Sequence, residues 1–370
     1  MKGKKERKIK IYLQYPWKYS DSPYYRYLVE NPPRNILYFN TQREKGATHN
    51  KRKLKFLYFV KTQIRKWTNK FNLSIPNANL SPKGNYNLIH CAHCLSKNKK
   101  SPWVSDLEGG FSMFISGHHT QSGRKKVEKI INSPSCKKLL PWTETSKKEI
   151  LKIIPSSKNK LEVLYPAIPF RTDLKEKSKE RINLVFSGRY FYQKGGLHAL
   201  EAIDKLTKKY KNVYATFISS VPGEIYKKYC SNKKITFYGL IPQEKLFKVY
   251  NDSHILLYPG YSDSFGFAFL EAMSFGIPII TVEGHARKEI VKERITGSVI
   301  QYKGTKDEKF RENPSLFLTD EMIKATSKLI KNKSLLKEMS KNCVNEIKEG
   351  KFSIKERDKK LKRIYLEALK

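Results

Sequence analysis

Residues 182–210 read INLVFSGRYFYQKGGLHALEAIDKLTKKY. The apolar run INLVFS stops at Gly188, a basic turn follows, and Leu197, Leu200, Ile203 and Leu206 then recur at helical spacing. Apolar strand, glycine turn and amphipathic helix together make the opening unit of a parallel sheet covered by helices. Downstream the same grammar repeats. VYATFIS (213–219), KITFYG (234–239), HILLYPG (254–260) and IPIITVE (277–283) read as strands, with PGEIYKKYC (222–230), PQEKLFKVYND (242–252) and FGFAFLEAMSFG (265–276) as helices between them. From Thr319 onward the chain reads as successive helices, ending in FSIKERDKKLKRIYLEALK (352–370).

Upstream the alternation is present but less regular. KIKIYLQ (8–14), NILYF (35–39), KFLYFV (55–60), YNLIHCA (86–92), PWVSDLE (102–108), KKLLPWT (137–143) and LEVLYPA (161–167) read as strands. KTQIRKWTNKFN (61–72) and GRKKVEKIIN (123–132) read as helices. SPYYRYLVE (22–30) opens a short helix with Ser22 as N-cap and Pro23 at the first helical position. The polar stretch PFRTDLKEKSKERI (169–182) is the expected linker. A chain of 370 residues exceeds what one core usually fills, so two α/β domains in series are expected, divided at 172/173.

The 22 Tyr and 19 Phe supply enough apolar surface for two cores and exclude wholesale disorder. The formal charge of +40 favours anionic partners: nucleic acid, an anionic membrane surface or phosphorylated small molecules. Lysines scattered through KKVEKI, KLTKKYK and KERDKKLKR suit a solvated basic surface. An anionic membrane surface is the next candidate partner. Nucleic acid is not expected, because no zinc-finger pair, basic-region heptad or RNP-type aromatic motif occurs. The start MKGKKERKIKIYLQYPW lacks the apolar core of a signal peptide, and no apolar run approaches the ~18–20 residues of a spanning helix. A cytoplasmic location, or attachment to the inner face of a membrane, is the expectation.

Five cysteines form no disulfide framework. Cys91 and Cys94 make one CxxC with His90 and His93 interleaved. A zinc site would need further ligands such as His118, His119 or Cys136. Buried small residues around a strand end are the simpler expectation, with no bound metal.

Two turns carry the chemistry. GRYFYQKGG follows the strand INLVFS and opens a helix, so backbone N–H groups and a helix N-terminus face outward at Gly188. Arg189 adds a planar fork for phosphate oxygens and Lys194 a mobile cation, which together suit a diphosphate. In SDSFGFAFLEAMSFG (262–276) the helix is expected to start near Ser264 or Phe265, with Asp263 at its mouth and Glu271 about two turns in. Gly266 allows close backbone approach to a ligand, and Gly276 is a C-terminal stop. Glu271 lies within FAFLEAM, so it is expected to be partly buried and to need a hydrogen-bonding partner such as a sugar hydroxyl. Both turns lie at carboxyl ends of strands, where open α/β sheets bind ligands.

GRYFYQKGG resembles the G-R-x-x-x-x-K-G element of retaining GT-B glycosyltransferases, above all glycosyltransferase family 4, the glycosyl transferases group 1. SDSFGFAFLEAMSFGIPII resembles that family's E-x7-E signature, and KITFYGLIPQEKLFKVYNDSHILLYPG its intervening stretch, so the likeness covers about residues 182–300. The resemblance implies a GT-B fold: two Rossmann-like, doubly wound parallel-sheet α/β domains facing across a cleft, the final helix (353–370) crossing back to the first. It implies a hexosyltransferase that takes a UDP- or GDP-linked sugar from the second domain to a glycan, lipid-linked or other acceptor on the first. Retention of anomeric configuration is implied, with no metal and no cofactor beyond the nucleotide-sugar co-substrate.

By the same resemblance, Arg189 and Lys194 hold the donor pyrophosphate beside Gly188, and Glu271 holds the ribose hydroxyls. Asp263 touches the transferred sugar, the backbone at Ser264, Phe265 and Gly266 approaches sugar or phosphate, and Gly239 and Leu240 receive the base. Asp263 replaces the usual Glu and is one methylene shorter, which shifts the sugar contact. The first half departs further: YPWKYSDSPYY stands where a glycine-rich loop is usual. Glu108 takes roughly the place of the family's catalytic His, and His118 and His119 are alternatives. Two other readings stay open: a binder of nucleic acid or membranes on a degenerate GT-B fold, and a GT-B sugar-nucleotide epimerase or phosphorylase. No GxGxxG follows either first strand, which argues against a dehydrogenase.

Overall fold

The computed structural model describes residues 8–14, 23–41, 51–116, 118–263, 265–304, 312–313 and 315–370; the side chains of 51–58 and 61 lie outside that description, as do the caps expected at Ser22 and the site residue Ser264. The chain forms two compact units, one up to Ala167 together with Ile354–Lys370, the other Ile168–Ser353.

The first unit carries β1 (Ile9–Gln14), α1 (Pro23–Glu30), β2 (Ile36–Phe39), α2 (Lys51–Lys70), β3 (Ala78–Asn79), β4 (Leu88–Ala92), β5 (Leu95–Ser96), β6 (Trp103–Leu107), α3 (Gln121–Ile131), β7 (Cys136–Pro141) and α4 (Glu144–Ile153). Its main sheet has the order β2-β1-β4-β6-β7, every pair parallel. Every residue of β4 and β6 is buried, as expected of strands covered on both faces. Two expectations need correction, and one helix is missing from the reading. KFLYFV is helical, inside α2: a short apolar run fits a buried strand and a helix face equally, and here the helical period continues through Trp67. LEVLYPA forms no strand and makes only one isolated bridge, Leu161 to Leu139. The helix α4 went unread, although the Thr143 side chain caps it by accepting from the Ser146 N–H at 2.9 Å.

One set of polar residues in this core is paired internally, which offsets the penalty of burying them. His90 Nε2 lies 2.8 Å from Asp106 Oδ2, and the Tyr25 hydroxyl donates to Asp106 Oδ1. His90 Nδ1 meets the Tyr365 hydroxyl at 2.5 Å, and Tyr365 meets Tyr38 at 3.0 Å. Burial, reinforced by the Asp106 charge, holds the Tyr25 phenol well above its usual range. Tyr365 lies on the terminal helix, Ile354–Ala368, so this network fastens that helix to the first sheet. The Cys91 and Cys94 thiols are buried and donate to Gln14, at 3.5 Å to its Oε1 and 3.5 Å to its carbonyl oxygen respectively. Among the described residues no group of three or more His, Cys, Asp or Glu is placed to hold a metal ion.

The second unit carries β8 (Ile182–Ser187), α5 (Gly196–Lys209), β9 (Val213–Ile218), α6 (Gly223–Tyr229), β10 (Ile235–Tyr238), α7 (Gln243–Asp252), β11 (Ile255–Leu257), α8 (Phe267–Ser274), β12 (Ile279–Val282), α9 (Arg287–Ile290), β13 (Gly297–Ile300), α10 (Leu316–Lys331) and α11 (Lys333–Lys348); the terminal helix is α12. The sheet order is β10-β9-β8-β11-β12-β13, again all parallel. Leu200, Ile203 and Leu206 of α5 are fully buried against it, each contributing about 1.5–3 kcal/mol. Phe186 stacks on Phe217 across β8 and β9 with ring centroids 4.5 Å apart. The strand β13, four residues from Gly297, was not anticipated. Gly297 is needed there, because a Cβ would lie 2.0 Å from the Ile279 carbonyl oxygen. Among the described residues no helix is long and apolar enough to cross a membrane.

One buried histidine makes the second unit acid-sensitive. His198 of α5 is fully buried, its Nε2 accepts from the Ser315 N–H at 3.1 Å, and burial lowers its pKa to about 4. The folded pKa lies below the unfolded value near 6.5, so the unfolded chain binds the extra proton first. Stability is therefore full above about pH 6.5 and falls as pH drops towards 4, by about 3 kcal/mol at most. His254, also shifted down by burial, adds in the same direction. Urea titrations between pH 7 and 4 should show this loss, and His198→Gln should flatten most of it. A slope unchanged in the variant would contradict it.

Candidate functional site

The strand order reverses beside β8: β9 and β10 extend to one side, β11 to β13 to the other. The crevice beyond the carboxyl ends of β8 and β11 is thus the topological switch point of the sheet, where such folds bind ligands. The two candidate turns emerge from these two adjacent strands, Gly188–Gly195 after β8 and Tyr258–Gly266 after β11. They are joined directly. Gly260 N–H donates to the Lys194 carbonyl at 3.0 Å, and Ser262 N–H to the Gln193 carbonyl at 3.2 Å. Gly195 adopts φ +76°, and a Cβ there would meet Pro259 at 2.5 Å, so only glycine lets the turns close.

The closure brings Lys194 and Asp263 into an ion pair, their side chains 16% and 15% exposed. Beneath them lies Arg287, which is 1% exposed. Its guanidinium donates to the carbonyls of Val282, Gly260 and, at 3.2 Å, Glu283. Burial lowers its pKa to about 10, with Asp263 opposing the shift, so it stays charged at neutral pH. The Gly260 carbonyl also accepts from the Asp263 N–H at 3.1 Å, so Arg287 fixes the turn that carries Asp263. The buried Tyr258 phenol is pushed well above its usual range by burial and then by Asp263. Lys194, Arg287 and the exposed Arg189 outnumber the carboxylates Asp263 and Glu271, which leaves the crevice net positive.

Helix α8 starts at Phe267, later than expected, because Gly266 takes a left-handed conformation at φ +86° and caps it. Asp263 therefore stands three residues before the cap, held by Lys194 rather than by the helix. Phe265 is buried against Phe267 and Phe352, with centroids 5.1 and 6.2 Å away. Glu271, 8% exposed, accepts at Oε1 from Gln243 Nε2 of α7 at 3.1 Å. Gly188 is packed so tightly that a Cβ would lie 2.9 Å from the Lys194 Cβ. Gly239 and Leu240 are exposed beyond the carboxyl end of β10, on the same edge of the sheet.

In the first unit Glu108 directly follows β6, at the carboxyl end of its own sheet, and its carbonyl accepts from the Ser146 hydroxyl. His119 Nδ1 accepts from Arg124 Nε at 3.1 Å, whereas His118 lines a cavity of about 330 Å³ with Arg65, Asn69, Phe111 and Ser116. Sequence reading did not single out Arg287 or Gln243. Gln243 sits in the first turn of a helix that was read correctly, so its position behind the base-side turn was the available signal. Arg287 had none: another cation in a chain of this charge is not conspicuous.

Residues 170–336 match the family model described as Glycosyl transferases group 1. An uncharacterized 41.2 kDa protein from the cps region of Klebsiella pneumoniae is 27% identical over 158 residues, which are 40% of this chain and 43% of that one. The chain spans less than half the length of the curated relatives it matches. A glycosyltransferase from Rickettsia africae superimposes with TM-score 0.64 at 14% identity, covering 99% of both chains. HepE from Anabaena, solved in complex with UDP-glucose, superimposes with TM-score 0.58 at 12% identity, covering 96% of this chain and 98% of its own. The two parallel-sheet α/β units fit the GT-B fold, and the matched domain and the fold neighbours support a glycosyltransferase.

Proposed function

We propose that the chain transfers a hexose from a nucleoside diphosphate sugar, held by the second unit, to a glycan or lipid-linked acceptor, with retention at the anomeric carbon. The observation that carries this reading is the joining of the Lys194 turn to the Asp263 turn at the switch point of the second sheet. A positive crevice there suits a diphosphate, and a buried carboxylate positioned by Gln243 suits a pair of ribose hydroxyls.

In this mechanism the bond between the anomeric carbon and the diphosphate oxygen breaks, and an acceptor hydroxyl oxygen bonds to that carbon and gives its proton to the departing diphosphate. Charge builds on the departing diphosphate. Arg189, Lys194 and the N–H groups that open α8 stabilise it, a preorganised electrostatic role that elsewhere falls to a metal ion. Lys194 is shared: it neutralises Asp263 and faces the leaving group, so Asp263 orients both the cation and a donor sugar hydroxyl. Gly239 and Leu240 flank the base. Glu108, at the carboxyl end of β6, is assigned to the acceptor. A UDP-sugar is the first donor to try, in line with the UDP-glucose complex of HepE.

Glu271→Gln tests the donor assignment. The amide keeps the size of the side chain and can still bond to Gln243, but it loses the charge-assisted acceptor for two hydroxyls. Donor KM should rise about tenfold or more, on the order of 1.4 kcal/mol, with the melting temperature little changed. Release of nucleoside diphosphate from a panel of UDP- and GDP-sugars, followed by mass spectrometry, reads this out. An unchanged donor KM would remove Glu271 from the site, and an inverted anomer in the product, read by NMR, would overturn retention.

A further inference from the structure

The second unit has a groove of about 580 Å³ at the opposite edge of its sheet. It is lined by Ile182, the first residue of β8, by His254, just before β11, and by Phe275 and Gly276, just before β12. All strands of this sheet are parallel, so these positions mark their amino-terminal ends, away from the crevice that carries Lys194 and Asp263. The proposed transferase chemistry makes no use of this edge.

The groove is divided by chemistry. Its floor is apolar: Ile182, Phe275 and Leu336 are buried there and Val344 is half-buried. Its rim holds five lysines, 175, 177, 179, 333 and 337, against one carboxylate, Glu176, which is already paired with Lys179 at 2.7 Å. Lys177 reaches furthest in, and its Nζ donates to the Gly276 carbonyl at 3.1 Å. That carbonyl also accepts from the Ser340 hydroxyl at 2.7 Å. The ammonium carries three N–H donors and gives one to Gly276, which leaves donors for a ligand. Lys175 and Lys337 have no ion-pair partner among the described residues. His254 is buried at the edge of the groove, its Nδ1 accepting from Asn183 N–H and its Nε2–H donating to the Ser178 carbonyl. Burial lowers the Lys177 pKa to about 8, with Cys343 and the Asp252 carboxylate opposing the shift.

We propose that this groove binds a single-chain amphiphile with an anionic head, the alkyl chain on the Ile182, Phe275, Leu336 and Val344 floor and a phosphate or carboxylate on Lys177 and Lys337. Concave apolar sites with a few convergent polar groups are where such ligands bury most of their surface. Charge complementarity selects the head, because a neutral amphiphile would leave the lysine rim unneutralised. This site is independent of the donor reading, since it shares no residue with it.

Titration calorimetry of the full chain with monomeric dodecyl phosphate tests the proposal, with dodecyl maltoside and inorganic phosphate as separate arms. Saturable binding of dodecyl phosphate near one equivalent is expected, weakened tenfold or more by Lys177→Met and largely restored by Lys177→Arg. Val344→Trp, which fills the floor, should weaken it without touching the lysines. Glu271→Gln should leave it unchanged, so failure here and failure of the donor site are separable. Equal binding of dodecyl maltoside would overturn the anionic head. Equal binding of inorganic phosphate would overturn the alkyl chain, and no loss in Lys177→Met would overturn the site.

Discussion

Lys194→Met is expected to lower the turnover of the transfer reaction about a hundred- to a thousandfold, the usual cost of removing one preorganised donor from a developing negative charge. The substitution keeps the length of the stem and removes the cation. It also strips Asp263 of the ion pair in which both side chains are about five-sixths buried. Arg287 remains beneath that carboxylate, so the stability loss should be moderate, about 1–3 kcal/mol. Turnover at saturating donor, measured where circular dichroism shows the variant folded, separates the two effects. The double variant Lys194→Met/Asp263→Asn should recover part of the stability and none of the turnover. Wild-type turnover in Lys194→Met would show that the turn after β8 does not carry the leaving group.

Arg287→Leu is expected to be the most destabilising single change in the second unit. The arginine is 1% exposed and satisfies the carbonyls of Gly260, Val282 and Glu283 at once. Leucine leaves those acceptors without it, and it removes a cation that balances Asp263. A loss of about 3–5 kcal/mol follows, roughly 6–20 °C in melting temperature for a domain of this size. Arg287→Lys should recover only part, because one ammonium cannot span three carbonyls fixed around a planar fork. Calorimetry of both variants checks the order. If Arg287→Leu melts with the wild type, the turn bearing Asp263 is held by something else.

The parts of the fold that were legible in the sequence share a physical feature: an apolar run closed by a polar or glycine turn. The apolar residues of INLVFSG and IPIITVE are buried in parallel strands, so they read as hydrophobic segments. KFLYFV misled for the same reason, since five apolar residues in six satisfy a strand and a helix alike. LEVLYPA has the composition of a strand, but whether it pairs depends on what lies beside it, which no local pattern records. β13 was missed because its four residues start with a glycine chosen for the space beside Ile279.

The site divides in the same way. Arg189, Lys194, Asp263 and Glu271 stand at readable places, turn ends and a helix with an acid in an apolar face. What the sequence could not express is how the places combine. The Lys194–Asp263 pair spans 69 residues of chain, and it depends on Gly195 and Gly260 both taking left-handed conformations so that the two turns can touch. The first unit's polar core is hidden for a related reason. His90 reads in the sequence only as a neighbour of Cys91, because its partners, Asp106 and Tyr365, come from 16 and 275 residues away.

The most direct measurement is the melting temperature of the purified chain against a panel of nucleoside diphosphates and their sugars, repeated with Lys194→Met and Glu271→Ala. A ligand that binds only the folded protein raises it, by about 2.7 kcal/mol of stability at a hundredfold excess over Kd. The account predicts that one nucleoside diphosphate sugar stabilises the wild type and that both variants lose the shift. A panel that moves nothing, or variants that respond as the wild type does, would contradict the donor site at the crevice of β8 and β11.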